Sequence, residues 1–352
     1  MASIQNSAKA FEDWQRGRLH GLFVEADLDE KHKKMRASPF SFLRASYWRW
    51  AEVVVDALPH VMTASPVLAV GDSHLENFGT WRDSEGRLVW GANDFDDAAV
   101  MPWPLDLIRL VASALLARQD DADAGEIAKA ILDGYRAGLT APAPVVLERN
   151  HAWLRTELLL AEDERTAFWA KFDQMPDPIP QPYAAALAAS LPPGAEPPLC
   201  FARTAGTGSL GKPRFVALLK HWQGGPVLRE AKALLPSAWA LAGGAPSTPI
   251  RTAEIAHGPF RAADPHFQVQ GDILVRRLSP SSRKIEVKAA GTILQEPRML
   301  SMMGFEIANC HAGTSAMLPQ VRAEAQAKDD RWLQDAAEKM ARVVTADYRD
   351  FR

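Results

Sequence analysis

The sequence predicts an α+β protein in distinct parts, and three observations carry that prediction. Ala- and Leu-rich, helix-prone segments fill most of residues 1–198 and return after 300. Between 200 and 300, glycine turns separate β-prone runs: RFVALL, PVLREA, FQVQGDILVRRL and KIEVKAAGTIL. A short strand and a hairpin, between about 67 and 98, interrupt the first helical stretch. The expected division is a mainly helical part with the hairpin at 1–198, a β-rich part at 199–300, and helices at 301–352 that pack back on the first part.

The chain has 352 residues, enough for two cores, and 47% of them are hydrophobic. A formal net charge of -3 gives no global attraction to nucleic acid or to a membrane surface, so neither is an expected partner. Two cysteines, Cys200 and Cys310, lie far apart and without metal-type spacing, which fits a reducing compartment. The first twenty residues hold no apolar signal core, and no run reaches the roughly 18 apolar residues of a membrane span. The expectation is a cytoplasmic protein of unknown oligomeric state.

In chain order, residues 1–36 are charged and helix-prone. Ser38-Pro39 reads as a helix start, with Ser as cap and Pro in the first turn. Phe40, Leu43, Tyr47, Trp50 and Val54 then recur at helical spacing, which predicts one helix of about five turns. Residues 67–70 read as a strand and GDSHLENF as a loop. Strands at 78–81 and 88–90 flank the turn DSEG, and NDFDDA closes the hairpin. PWP punctuates the chain before a strong helix at 105–118. Residues 120–190 read as helical, and the Pro- and Ala-rich stretch at 175–198 as a connection between parts.

The chemistry gathers first at Asp72, His74 and Asn77. An Asp followed five residues later by an Asn is the spacing of a kinase catalytic loop. A short loop can aim a carboxylate at an acceptor hydroxyl and an amide oxygen at a metal. Alone, the same spacing reads as an Asx-type turn after a strand. The second block, Asn93-Asp94-Phe95-Asp96-Asp97, alone reads as a solvated turn with capping carboxylates. Yet it follows the first by one hairpin, as a metal-binding Asp-Phe-Gly segment follows a kinase catalytic loop, with Asp-Phe-Asp in its place. Mg²⁺ takes hard oxygen ligands, so Asn77 and Asp94 are the candidate ligands and Asp96 a further one. Asp72 is the candidate base, and His74 supports the loop by hydrogen bonding.

The third block, GTGSLG at 206–211, is a literal G-x-G-x-x-G, weak by itself. A Rossmann loop would open a helix, whereas here a strand follows. Strand, glycine loop, strand, turn and strand make the phosphate flap of a kinase, so Gly206, Gly208, Ser209 and Gly211 are candidate nucleotide contacts. The flap calls for a cation on the next strand, and Arg229 and Lys232 are the two candidates. Lys232 reads equally as a solvated lysine. Arg276 and Arg277 read as strand-edge charges or as phosphate or acceptor contacts.

At these blocks the chain resembles a bacterial family known as domain of unknown function 2252, grouped with the protein-kinase-like fold. The segments that carry the likeness are RASPFSFLRA, GDSHLENFG, NDFDDA with PWPLDLIRL, GTGSLG, REAKALLPSA and IANCHAGT. GDSHLENFG with NDFDDA is also similar to the catalytic loop and metal segment of aminoglycoside and choline kinases, with Val70 where those enzymes usually have His. Where the family's flap leads to Lys-Glu-Ala, this chain has Arg229-Glu230-Ala231. The catalytic-type loop precedes the glycine loop by about 130 residues, the reverse of ordinary kinases. The resemblance therefore implies a two-lobed, circularly permuted kinase-like fold. It implies ATP and Mg²⁺ as cofactors and phosphoryl transfer to a hydroxyl of an acceptor that no segment identifies. AMP transfer, nucleotide binding without turnover as a pseudokinase, and metal-dependent phosphohydrolysis are the alternatives.

Overall fold

The structure is a computed structural model, and it describes residues 2–118, 123–158, 160–245, 248–284, 287, 293–329 and 331–352. The chain opens with helices α1 (Ile4–Leu19), α2 (Ala26–Met35), α3 (Pro39–Ala45) and α4 (Tyr47–Ala57). Ser38 starts α3 as expected, its Oγ accepting the Ser41 N–H at 3.1 Å. The single long helix expected over 40–54 is two helices. Ser46 leaves helical geometry at φ -128°, and its Oγ donates to the Phe42 carbonyl at 2.6 Å. A hydroxyl bonding back along the helix competes with the regular ladder.

Strands β1 (Pro66–Ala69), β2 (Phe78–Arg82), β3 (Leu88–Ala92) and β4 (Ala99–Pro102) follow. The β2–β3 hairpin is as expected, in register Phe78↔Ala92. Strand β4 was not legible, because its four residues lie among prolines and acids. It pairs antiparallel with β1, ending Ala69↔Ala99. Two ladders therefore pin the two acidic loops at both ends. One ladder brings the start of loop 70–77 beside the end of loop 93–98, and the other brings Asn77 beside Asn93.

Helix α5 (Pro104–Ala117) comes next, then α6 (Ala124–Thr140), β5 (Val145–Val146), α7 (Ala152–Leu158), α8 (Glu162–Ala170) and α9 (Gln181–Ser190). The short β5 adds a third strand to the hairpin. The stretch 175–198, read as a connection, carries α9. Tyr183, Ala186 and Leu187 of α9 are buried against Ala217, Ala231 and Val275 of the following sheet.

That sheet comprises β6 (Leu199–Ala202), β7 (Arg214–Trp222), β8 (Gly225–Ala233), β9 (Gln268–Gln270) and β10 (Ile273–Arg277). It is antiparallel throughout, in the order β6-β7-β8-β10-β9. Short helices α10 (Ala238–Ala242) and α11 (Thr252–Ala256) join β8 to β9. The β-run expected over KIEVKAAGTIL lies largely outside the described residues.

Helices α12 (Pro297–Ala312), α13 (Leu318–Ala327) and α14 (Trp332–Phe351) return to the first core, where Met303, Ile307 and Met340 are buried with Leu107, Val111 and Ile131. Helices α12 and α6 cross at backbone contact. A Cβ on Gly134 would lie 1.8 Å from the Ser301 carbonyl oxygen, and one on Gly304 would lie 2.0 Å from that of Ile131. Among the described residues no helix is long and apolar enough to cross a membrane.

Candidate functional site

Strand β1 runs directly into the first acidic loop, and that loop is tied to the helical core. The Val70 and Gly71 N–H groups donate to the two carboxylate oxygens of Asp106, at 2.7 and 2.9 Å. Ser73 Oγ donates to the Asp106 carbonyl at 2.7 Å. His311 Nε2 lies 3.0 Å from Asp106 Oδ2, and the Tyr135 hydroxyl 2.9 Å from His311 Nδ1. Gly71 has φ +84°, and a Cβ there would sit 2.3 Å from the Asp97 carbonyl oxygen, so only glycine fits. The buried chain from Tyr135 through His311 to Asp106 thus fixes the direction in which the next residue, Asp72, points.

Asp72 Oδ1 accepts from both Nε and Nη2 of Arg109, with Nε at 2.9 Å. Burial raises the Asp72 carboxyl above its ordinary value even against that guanidinium. Its Oδ2 faces the glycine loop, 4.0 Å from where a Cβ of Gly208 would be. Asn77 is held by its amide, with Nδ2 donating to the carbonyls of Asp72 and Asp94 at 3.0 Å each. Its Oδ1 is buried and has no hydrogen-bond partner among the described residues. A buried amide oxygen held open in this way is the donor a hard cation takes.

Asp94 and Asp96 sit inside a ring of lysines. Lys232 Nζ lies 2.6 Å from Asp96 Oδ1 and 3.2 Å from Asp94 Oδ1. Lys284 Nζ donates to Asp94 Oδ2 at 3.3 Å, and Lys212 Nζ lies 3.4 Å from Asp96 Oδ2. Burial works to raise the Asp94 carboxyl, but Lys232, Lys284 and Arg276 hold it well below the carboxylate range. His74 is buried and neutral. Burial, with Arg44 and Lys284 nearby, depresses it well below the usual histidine value. Its Nδ1 accepts the Glu76 N–H at 3.2 Å and so caps the 3-10 turn at Leu75–Asn77.

The glycine loop lies over these groups. Gly206 and Gly211 adopt φ +77° and +93°, and Gly208 passes against the Arg44 carbonyl, where a Cβ would meet it at 3.2 Å. Ser209 Oγ accepts from Arg214 Nη2 at 2.6 Å. The loop is clamped from outside by the N-terminal helices. Val24 N–H donates to the Gly211 carbonyl at 2.9 Å, and Gly211 N–H to Asp27 Oδ2 at 3.3 Å. Asp72, His74, Asn77, Asp94, Asp96 and residues 206–209 line one cavity of about 70 Å³ together with Lys212 and Lys284.

Strand alternation separates the two cation candidates. Arg214, Glu230, Lys232 and Arg276 stand in paired registers on one face of the sheet. Arg229 stands on the other, where Nε donates to the Ser190 carbonyl of α9 at 3.2 Å and Nη2 reaches His266. Arg229 is thus outside the cavity, a correction to its assignment as a phosphate contact. Arg276 and Arg277 line an adjoining, larger cavity. Three residues of the site carried no motif: Arg109, Lys212 and Lys284. Asp106 and Arg109 did leave a signal, two charges one turn apart in the otherwise apolar PLDLIRLVASALLA.

Among the described residues no group of three or more His, Cys, Asp or Glu side chains could hold a metal. A magnesium ion that keeps waters and shares phosphate oxygens needs only one or two protein oxygens, and Asn77 Oδ1 with Asp94 fits that requirement. A family model described as "Uncharacterized protein conserved in bacteria (DUF2252)" matches residues 23–166 and 200–352. No curated protein and no solved structure matches the chain.

Proposed function

The chain belongs to this DUF2252 family, and from that premise we propose that it is an ATP- and magnesium-dependent transferase that moves a phosphoryl group to a hydroxyl of another molecule. The observation that carries the reading is the shared cavity, in which Asp72, Asn77, Asp94 and the glycine loop meet from segments up to 137 residues apart, Asp72 to Ser209. Further support comes from the sheet. The glycine loop joins its first two strands, and Lys232 stands on the third with its ammonium on Asp94. These features agree with a two-lobed kinase-like fold whose catalytic-type loop precedes its flap in sequence.

Each residue has a part in this chemistry. Lys212, Lys232 and Lys284 gather three ammonium groups complementary to phosphate oxygens. Asn77 and Asp94 would hold Mg²⁺, which when bound neutralises charge on the phosphates. The bond from the γ-phosphorus to the bridging oxygen breaks, a bond to the acceptor oxygen forms, and ADP leaves. Asp72 Oδ2 orients the acceptor hydroxyl and takes its proton. Arg109, on Oδ1, holds that carboxylate in place.

Nucleotide binding without turnover is the second reading. The grip of Arg109 on Asp72 favours it, because Oδ1 is taken up in that ion pair and the guanidinium opposes the basicity that burial gives the carboxyl. Incubation with ATP, Mg²⁺ and a panel of hydroxyl acceptors, with nucleotide products separated, decides between the two. Asp72→Ala is expected to keep ATP binding and to lose at least about a hundredfold in turnover. Normal turnover by Asp72→Ala would remove Asp72 as base, and release of pyrophosphate in place of ADP would make the reaction AMP transfer.

A further inference from the structure

Beside the small acidic cavity lies one of about 350 Å³, which shares Arg44, Asp94, Gly206, Ser209 and Lys284 with it. Its wall on the sheet side is built from arginine. Glu230, fully buried on β8, receives three guanidiniums: Arg203 from the end of β6, Arg214 from the start of β7 and Arg276 from β10. Arg214 Nη1 reaches Glu230 Oε1 at 2.7 Å, and Arg276 Nη2 reaches the same oxygen at 2.7 Å. One carboxylate thus organises three cations, and Arg277 and Lys284 add two more to the lining. Arg203 is pushed below its ordinary value, first by burial and then by crowding from Arg214 and Arg276, against the pull of Glu230. Three guanidiniums on one carboxylate leave a positive excess. Arg203 and Arg276 keep 23% and 21% of their side-chain surface open, so the excess faces a space a ligand can enter.

Burial of a carboxylate beneath three arginines does not stabilise a fold cheaply. Well-packed apolar residues would serve as well or better. A fixed set of planar, multidentate donors is what phosphate recognition requires. Arg214 also joins the cluster to the glycine loop through Ser209 Oγ, so the two cavities are mechanically linked.

We propose that this cavity is a binding site for a multiply charged phosphate chain, contiguous with the acidic cavity. The chemistry has two sources, the nucleotide's own terminal phosphates or a phosphorylated acceptor. Both sources rest on the proposed function, whereas the site itself needs neither magnesium nor a base.

The test uses inorganic tripolyphosphate, without metal, on the full chain. Tripolyphosphate is expected to bind, with an affinity that falls steeply as salt rises. Arg203→Gln is expected to weaken it about tenfold, the weight of one charge-assisted contact. Arg214 and Arg276 still satisfy Glu230 in that variant, and thermal unfolding checks that it folds. Arg277→Gln serves as a second variant at the rim. Competition between ATP and tripolyphosphate assigns the site to the nucleotide's phosphates, and simultaneous binding assigns it to a phosphorylated acceptor. Absence of binding to the wild type at low salt, or equal binding by folded Arg203→Gln and Arg277→Gln, overturns the proposal. Asp94→Ala separates the two accounts, because it should lose magnesium-dependent ATP binding and retain tripolyphosphate.

Discussion

At the scale of single residues, the site is an arrangement of paired charges in which each member is costly without its partner. Arg109 shows this best. It is fully buried in α5, bonded to Asp72 Oδ1 and to the Leu43 carbonyl, and packed over the rings of Tyr47 and Trp50. Arg109→Leu is expected to cost about 3–5 kcal/mol in urea unfolding, because it strands the Asp72 carboxylate. The double variant Arg109→Leu/Asp72→Asn should recover at least about 1 kcal/mol of that loss. Simple additivity of the two single changes would mean that the pair is not coupled. Asp72, Asn77 and Asp94 were visible in the sequence because their residue types and spacing match those of a kinase-type loop pair. Arg109, Lys212 and Lys284 were hidden because they converge only through folding, from a helix, a loop after the flap and a segment beyond β10. The choice between Arg229 and Lys232 needed the strand register, since a shift of one residue exchanges the two faces of a strand.

At the scale of elements, close backbone packing and short ladders set the geometry. The pairings β1–β4 and β2–β3 place both acidic loops at adjoining strand ends. The β2–β3 hairpin was readable from its turn, but β4 was not, since four residues carry too little periodicity. Helix α9 fell inside both the stretch read as helical to 190 and the one read as a connection from 175, because its proline and alanine suggest a link, whereas Pro182 occupies the first turn and Tyr183 and Leu187 face the sheet. The break at Ser46 was missed because its neighbours keep a helical apolar spacing on either side. The crossing of α6 and α12 gives a direct test. Alanine in place of glycine inside a helix gains about 1 kcal/mol of propensity, but overpacking costs about 1–3 kcal/mol. At Gly304 the obstacle is the Ile131 carbonyl oxygen at 2.0 Å, which is backbone and cannot rotate away. Gly304→Ala is therefore expected to destabilise, by at least the upper part of that range. Gly17→Ala in α1 is the control, because a Cβ there meets nothing within 4 Å and should stabilise. A stabilised Gly304→Ala would contradict the close crossing.

At the scale of the whole molecule, two larger apolar cores and a small third one around Phe172, Phe201 and Val216 flank a polar seam. The larger core joins the N-terminal helices, the acidic loops and α12 to α14, and the smaller one lies between α9 and the five-stranded sheet. The α+β class was legible from the change in periodicity near residue 200, and the last helices bury Met303, Ile307 and Met340 in the first core. What no local pattern conveyed is that the sheet turns its charged face, with Arg214, Glu230, Lys232 and Arg276, toward the acidic loops. The proposed function requires that this seam hold a magnesium–nucleotide complex. Calorimetric titration of ATP into the wild type and into Asp94→Ala and Asp94→Asn, each with and without Mg²⁺, tests it most directly. The wild type is expected to bind ATP at least about tenfold more tightly with the metal, and both variants to lose that difference while staying folded. Affinity that is the same with and without Mg²⁺, or a metal effect that survives in both variants, would contradict it.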